Sequence, residues 1–230
     1  MDVNLLPLLP AIQVLMTALV VVLRDLFIEE GKPRGYLAFL SLIGIGLAAA
    51  EAVALWGAQE SAFGDAIVLD NFGLFFTLIF LLIGALTILS STDYVRLAGI
   101  QEGEYYALLL FAILGMMIMA GANDLLVFFL GLETMSVAVY VLTGMWRGSA
   151  RSSEASMKYF LLGAFATGFL LYGIALIYGA TGSTNLNIIA DYLLEQPADW
   201  PLYLVGGGFL LLIGFAFKVG AVPFHFWVPD

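Results

Sequence analysis

Three ionisable side chains, Glu133, Lys158 and Lys218, lie in stretches that are otherwise apolar enough to cross a lipid bilayer. A charge at the centre of a bilayer costs about 2.5–3.5 kcal/mol on insertion scales, so such residues are rare in membrane helices. Where they occur, they usually pair with one another and mark a path for ions or protons. These residues are therefore candidates for acid–base chemistry inside a membrane.

The combination of a carboxylate with an amine suits the movement of protons. At an effective dielectric constant near 20, opposite charges about 4 Å apart attract by about 4 kcal/mol. An ammonium group beside a carboxylate therefore keeps its proton. It releases the proton once the carboxylate moves away or is neutralised, because burial then disfavours the remaining charge. We expect Glu133 and Lys218 to form such a switch.

Glu133 lies near the middle of one apolar stretch, and Ser136 and Tyr140 follow it at three and seven residues. This spacing places all three on one helical face. The functional interpretation is a proton-binding carboxylate that faces the interior of a helix bundle. The alternative is a structural acid that pairs with a neighbouring side chain.

Lys218 ends another apolar stretch, with Gly220 and Pro223 directly after it. Proline removes a backbone donor and clashes with the preceding turn, so we predict a broken helix near Lys218–Pro223. A helix that breaks at membrane depth lines a cavity or is buried in protein. The alternative is a lysine that reaches the inner membrane surface at an ordinary helix end.

Three titratable residues are weaker candidates than Glu133 and Lys218. Lys158 opens its predicted span, four residues after Glu154, and either reaches the membrane surface or relays protons between the inner water and Glu133. His225 titrates near neutral pH and is either a relay group or a satisfied core histidine. Glu51 lies in an alanine-rich stretch near the predicted outer surface and ranks last.

The composition indicates a membrane protein and excludes several kinds of site. Of the 230 residues, 62% are hydrophobic and 11% are charged, which lipid accommodates and a soluble core does not. The absence of cysteine excludes disulfides, thiolate metal sites and iron–sulfur clusters held by this chain. One histidine leaves no multi-histidine metal or haem site, and a net charge of −10 argues against a nucleic-acid partner.

The hydropathy pattern predicts an all-α, polytopic transmembrane helix bundle of about seven spans. The candidate spans run approximately Leu5–Leu23, Tyr36–Trp56, Phe72–Ser90, Tyr105–Gly121, Leu125–Leu142, Lys158–Gly179 and Leu202–Val222. The long link between the last two contains Leu186, Ile189, Ala190 and Leu193 at helical spacing, which predicts a short amphipathic helix on the outer surface.

The charges divide between alternate links. Basic residues lie on one side: Arg24, Lys32, Arg34, Arg96, Arg147 and Arg151. Acidic residues without basic neighbours lie on the other: Glu60, Asp65, Asp70, Asp124, Asp191, Glu195 and Asp199. Because basic residues collect on the cytoplasmic side, the N-terminus is predicted to lie outside.

Residues 120–136, 154–182 and 217–230 resemble the antiporter-like, proton-pumping membrane subunits of respiratory complex I, the NADH–quinone oxidoreductase. The runs Glu-Ala-x-x-Lys-Tyr-Phe at 154–160 and Leu-Tyr-Gly at 171–173 are closest to the subunit N branch of that family. The resemblance covers most of the chain from about Asp70 onward.

The resemblance implies the first half of a fold of inverted five-helix repeats. Residues 1–104 would form N-terminal transmembrane helices and residues 105–230 an incomplete first repeat, because the family is about twice this length. We therefore expect an N-terminal fragment. Four residues match the family's proton-relay positions: Glu133, Lys218, Lys158 and His225.

The implied function is proton translocation across the cell inner (plasma) membrane, coupled to quinone reduction by partner subunits. NADH, FMN, iron–sulfur clusters and quinone would then bind to those partners, with no cofactor in this chain. The expected partners are the other membrane subunits of complex I and the lipid bilayer. Two alternatives remain: a cation/proton antiporter subunit of the multisubunit sodium/proton type, and a structural membrane scaffold.

Overall fold

The computed structural model describes residues 4–28, 34–100, 102–195, 200–225 and 227–228. This part of the chain forms a helix bundle with one small β-hairpin. The helices are α1 (Leu9–Leu26), α2 (Tyr36–Ala54), α3 (Asn71–Leu97), α4 (Glu102–Gly121), α5 (Leu125–Thr143), α6 (Ala150–Thr181), α7 (Leu186–Glu195) and α8 (Leu202–Lys218). The predictions that concern Lys32 and Asp199 lie outside the described residues.

The first six of these helices are long and apolar enough to cross a membrane, and α8 is a shorter apolar helix. They correspond to the seven predicted spans, so the predicted bundle is confirmed. The predicted start of α6 was wrong, because the helix begins at Ala150, eight residues before Lys158. Ser149 caps it by accepting a hydrogen bond from the backbone N–H of Ser152. Hydropathy missed these first turns because they are polar.

A hairpin that the sequence did not predict joins α2 to α3. Strand β1 (Glu60–Ala62) pairs antiparallel with β2 (Ile67–Leu69), with Ser61 opposite Val68. The turn between them holds Phe63, Gly64 and Asp65 at positive φ. Only glycine adopts this conformation without cost. Strands of three residues leave too short a pattern to recognise in a sequence.

The hairpin turn is hydrogen-bonded to the α4–α5 link and to the α6–α7 link. We call the residues that make these contacts the loop junction (65–66, 123–125 and 184–186). The backbone carbonyl of Asp65 accepts hydrogen bonds from the side-chain amides of Asn123, at 3.0 Å, and Asn185, at 3.3 Å. The N–H of Asn123 donates to Ala66 and that of Leu186 donates to Asn123, each at 2.9 Å. The α2–α3, α4–α5 and α6–α7 links are thereby held together.

The opposite end of the bundle carries the arginines, and we call it the arginine end. Arg34 pairs with Asp25 at 3.1 Å, and Arg147 pairs with Glu104 at 3.8 Å. A cleft at this end brings together the end of α3, the start of α4, the end of α5 and the start of α6, and Arg151 lines it. The arginines that the sequence assigns to one side therefore lie at one end of the folded chain, together with the acids Asp25 and Glu104.

Close helix packing places α5, α6 and α8 around one another. Helix α4 packs against α5, and α6 packs against both α5 and α8. The contact of α6 with α8 is closest where Gly173 faces Gly207, because a side chain at either position would meet the other helix's backbone. Small residues allow such an approach in membrane bundles. The amphipathic helix α7 is present as predicted, with Ile189 packed in a cluster with Ile177 and Leu204.

Candidate functional site

The amine of Lys218 has three oxygen neighbours, all from α5. Its Nζ lies 2.7 Å from Ser136 Oγ, 3.2 Å from Tyr140 Oη and 3.6 Å from Glu133 Oε1. An ammonium group has three hydrogens to donate, so each oxygen can face one of them. The lysine side chain is only 10% exposed. The last residue of α8 is thus held against the polar face of α5.

The carboxylate of Glu133 also has a partner on a third helix. Thr167 of α6 donates a hydrogen bond of 2.9 Å to Glu133 Oε1, the same oxygen that faces Lys218. The glutamate side chain is 24% exposed. Three apolar helices therefore meet around one acid and one amine.

The ends of two helices fix the positions of these groups. Asp124 caps α5 by accepting from the backbone N–H groups of Leu126 and Val127, which sets the register of the Glu133 face. Helix α8 ends at Lys218 as predicted, but the reason differs from the proline clash. Gly220 has a φ of +66° and donates to the Phe217 carbonyl, which is the left-handed glycine cap common at helix C-termini.

The hydroxyl of Ser136 has a fixed role in this arrangement. It donates to the Leu132 carbonyl one turn earlier, at 2.6 Å, and Ser136 is fully buried. Because a hydroxyl has one hydrogen, it accepts the hydrogen bond from Lys218. Ser136 therefore binds the charged lysine and has no proton of its own to offer the amine.

Aromatic rings cover the pair on the side of the arginine end. Tyr140 points its ring edge at Tyr159, with centroids 4.6 Å apart. Tyr159 in turn stacks on Trp227, with centroids 4.4 Å apart and nearly parallel planes. The indole N–H of Trp227 donates to the Phe217 carbonyl at 3.1 Å. The chain after α8 is thereby folded back onto α6.

The other three candidate residues do not belong to the Glu133–Lys218 contact. Lys158 is more than two turns inside α6, 44% exposed, and its Nζ pairs with Glu154 at 2.8 Å. His225 lies in the turns after α8, where its backbone carbonyl accepts from Val228. Glu51 lies in the last turn of α2, away from α5 and α8 in sequence, with one buried carboxylate oxygen. The structure brings Glu133 and Lys218 into direct contact and leaves Lys158 beside Glu154.

The sequence reasoning missed three residues that surround the pair: Thr167, Tyr159 and Trp227. Thr167 is a polar residue in the middle of an apolar span, which is a signal that could have been used. The two aromatic residues give no such signal in a chain where 14% of residues are aromatic. Among the described residues there is no group of three or more histidine, aspartate or glutamate side chains that could hold a metal ion.

Comparison with known proteins finds similar membrane subunits. Residues 122–230 match the family described as NADH:quinone oxidoreductase/Mrp antiporter, transmembrane. NADH-quinone oxidoreductase subunit N of Trichlorobacter lovleyi is 48% identical over 228 residues, which are 99% of this chain and 47% of that protein. This chain is similar to these antiporter-like membrane subunits over nearly all of its length.

Two further comparisons give the same similarity. NADH-quinone oxidoreductase subunit N of Chloroflexus aggregans is 47% identical over 233 aligned residues, covering 99% of this chain and 47% of that protein. A chain in the structure of respiratory complex I from Thermus thermophilus with bound aureothin matches with a TM-score of 0.73 and 35% identity. That match covers 94% of this chain and 46% of the other. The chain spans about half the length of the relatives it matches, and the similarity includes α1 and α2.

Proposed function

We propose that the chain acts in a membrane subunit of NADH–quinone oxidoreductase that translocates protons, driven by quinone reduction in partner subunits. The observation that carries this proposal is the contact of Lys218 with Glu133 at 3.6 Å, between helices that are otherwise apolar. Intramembrane ion pairs of this kind commonly mark proton paths. The names of the relatives from T. lovleyi and C. aggregans supply the redox context.

The proposed step is a change in how firmly Lys218 holds its proton. With Glu133 close and charged, the ammonium is stabilised by its neighbour. When the carboxylate is neutralised or moves away, the buried amine gives up its proton. Lys158 and His225 would extend this path toward the arginine end. NADH, flavin, iron–sulfur clusters and quinone would bind to partner subunits, and this chain would hold no cofactor.

The proposed setting is the inner (plasma) membrane of the cell, with the arginine end in the cytoplasm and the N-terminus outside. The arginines lie at one end of the bundle, and Asp65 and Asp124 lie at the loop junction of the other end, which supports this orientation. Within the chain, residues 1–104 would serve as N-terminal helices and residues 105–230 as the first antiporter-like repeat. The other membrane subunits of the complex would be its partners, and the relatives' names do not favour a separate antiporter.

Two substitutions in the full-length subunit of the assembled complex test the function. Glu133→Gln and Lys218→Ala each remove one charge of the pair, and we expect at least a tenfold loss of proton pumping per quinone reduced. The measurement is acidification of closed membrane vesicles, alongside the rate of NADH oxidation. Glu104→Gln is the control, because that carboxylate is half-exposed and pairs with Arg147 at the arginine end.

The outcomes separate a pump from a scaffold. Assembly is followed by native gel electrophoresis of the same membranes. If both variants assemble and pump like the parent complex, the proposed relay is wrong. If neither assembles while Glu104→Gln does, the pair has a structural role instead.

A further inference from the structure

The hydroxyl of Tyr140 occupies a space that α6 leaves open for it. Tyr140 is buried, and a methyl group at Gly163 of α6 would overlap its hydroxyl. Gly168, five residues later on the same helix, has nothing within 4 Å of the corresponding position. The absence of a side chain at 163 therefore makes room for the hydroxyl that approaches Lys218.

The three oxygens around Lys218 differ in what they can offer the amine. The hydrogen of Ser136 is already given to the Leu132 carbonyl. The carboxylate of Glu133 is the group whose charge or position changes in the proposed switch. The phenol of Tyr140 both accepts and donates, so it can bind the amine as an ammonium and as a neutral group.

The ring of Tyr140 is held so that the hydroxyl stays in place. Its edge contacts Tyr159 at 4.6 Å and Phe160 at 5.9 Å between centroids, and Tyr159 is stacked on Trp227. Edge-on contacts of this kind restrict the ring without adding charge. The hydroxyl therefore keeps its distance of 3.2 Å from Nζ by packing on α6 and by its position on α5.

We propose that Tyr140 is a positioning residue for Lys218: its hydroxyl, seated against Gly163, keeps the amine beside Ser136 and within reach of Glu133 in both protonation states. The inference rests on the proposed function and adds a residue to it. Tyr140 does not itself carry the proton across the membrane. It keeps the lysine from turning away when Glu133 no longer attracts it.

Two variants of the full-length subunit in the assembled complex test this role. Tyr140→Phe keeps the ring and removes the hydroxyl, and Gly163→Ala displaces the hydroxyl from the opposite helix. The matched controls are Tyr172→Phe, at an exposed tyrosine of α6, and Gly168→Ala. Proton pumping in closed vesicles is measured across pH, together with the KM for quinone.

We expect both test variants to pump several-fold more slowly, with an unchanged KM for quinone and unchanged controls. At alkaline pH, pumping should begin to fall at a lower pH than in the parent complex. The reason is that the hydroxyl binds the ammonium more strongly than the neutral amine, because hydrogen bonds to a charged group are the stronger ones. The titratable groups around the amine are Glu133 and Tyr140 on α5, with Tyr159 of α6 behind Tyr140. A residue that only filled space would lower the rate without moving the pH profile.

The comparison with Lys218→Ala separates this inference from the function on which it rests. If Lys218→Ala stops pumping while Tyr140→Phe keeps the parent rate and pH profile, Tyr140 does not position the lysine and the function stands. If Lys218→Ala pumps normally, the proposed function itself is wrong. If Gly168→Ala behaves like Gly163→Ala, the effect belongs to α6 in general and the inference fails.

Discussion

Among single residues, Thr167 has the most direct influence on the acid of the pair. It donates at 2.9 Å to Glu133 Oε1, which also lies 3.6 Å from the Lys218 amine. Hydrogen bonds to a charged acceptor are roughly twice as strong as neutral ones. Thr167 therefore holds the carboxylate of Glu133 in place from a helix that carries neither member of the pair.

Replacing Thr167 with valine should loosen the position of the Glu133 carboxylate and lower proton pumping. The side chains have the same shape, and the lost hydrogen bond to a charged group contributes about 1.5–3 kcal/mol. Pumping and thermal unfolding of the assembled complex would be compared with Thr134→Val, whose hydroxyl bonds only to the Leu130 carbonyl of its own helix. Equal behaviour of the two variants would contradict this role for Thr167.

At the scale of the elements, the end of α8 decides where Lys218 lies. The N–H of Ala221 donates to the Ala216 carbonyl at 2.8 Å and that of Gly220 to Phe217 at 3.0 Å. These two bonds close the last turn and require a left-handed residue at position 220. The position of the amine thus depends on one glycine just beyond the helix.

We expect Gly220→Ala to destabilise the end of α8 by about 1–2 kcal/mol, the cost of a left-handed conformation for an L-residue. Gly208→Ala is the matched control, since it lies inside α8 in open space and should gain about 0.5–1 kcal/mol. Thermal unfolding of the assembled complex gives both values. A loss of stability for Gly208→Ala equal to that for Gly220→Ala would contradict the argument.

The elements also show which features a sequence can reveal. The spans could be predicted because a run of about twenty consecutive apolar residues is the length that a helix needs to cross the hydrocarbon layer. The shared face of Glu133, Ser136 and Tyr140 followed from helical spacing alone. The approach of Thr167, Tyr159 and Trp227 depends on how α5, α6 and the chain after α8 pack, and no periodicity within one element encodes that. The turn of the hairpin is bound by the side chains of Asn123 and Asn185, which belong to two distant links. The local sequence around the hairpin therefore does not predict it.

At the scale of the whole molecule, the absence of cysteine allows a direct test of orientation. Single cysteines at Arg151, at the arginine end, and at Asp191, on α7, would report which end faces the cytoplasm; both positions are exposed. With a membrane-impermeant maleimide added to intact cells, we expect Asp191→Cys to react at once and Arg151→Cys only after permeabilisation. The reverse order would overturn the proposed orientation.

The loop junction has a mechanical consequence for the bundle. One carbonyl, that of Asp65, is shared by amides from two separate links, so three pairs of helices are pinned at the same end. Helices pinned at one end can move apart only by pivoting there. A pivot of about one degree displaces a point 30 Å away, roughly the thickness of the hydrocarbon layer, by about 0.5 Å. The pivot leaves the ends at the loop junction almost still, moves Glu133 by an intermediate amount, and gives the largest displacement to the arginine end.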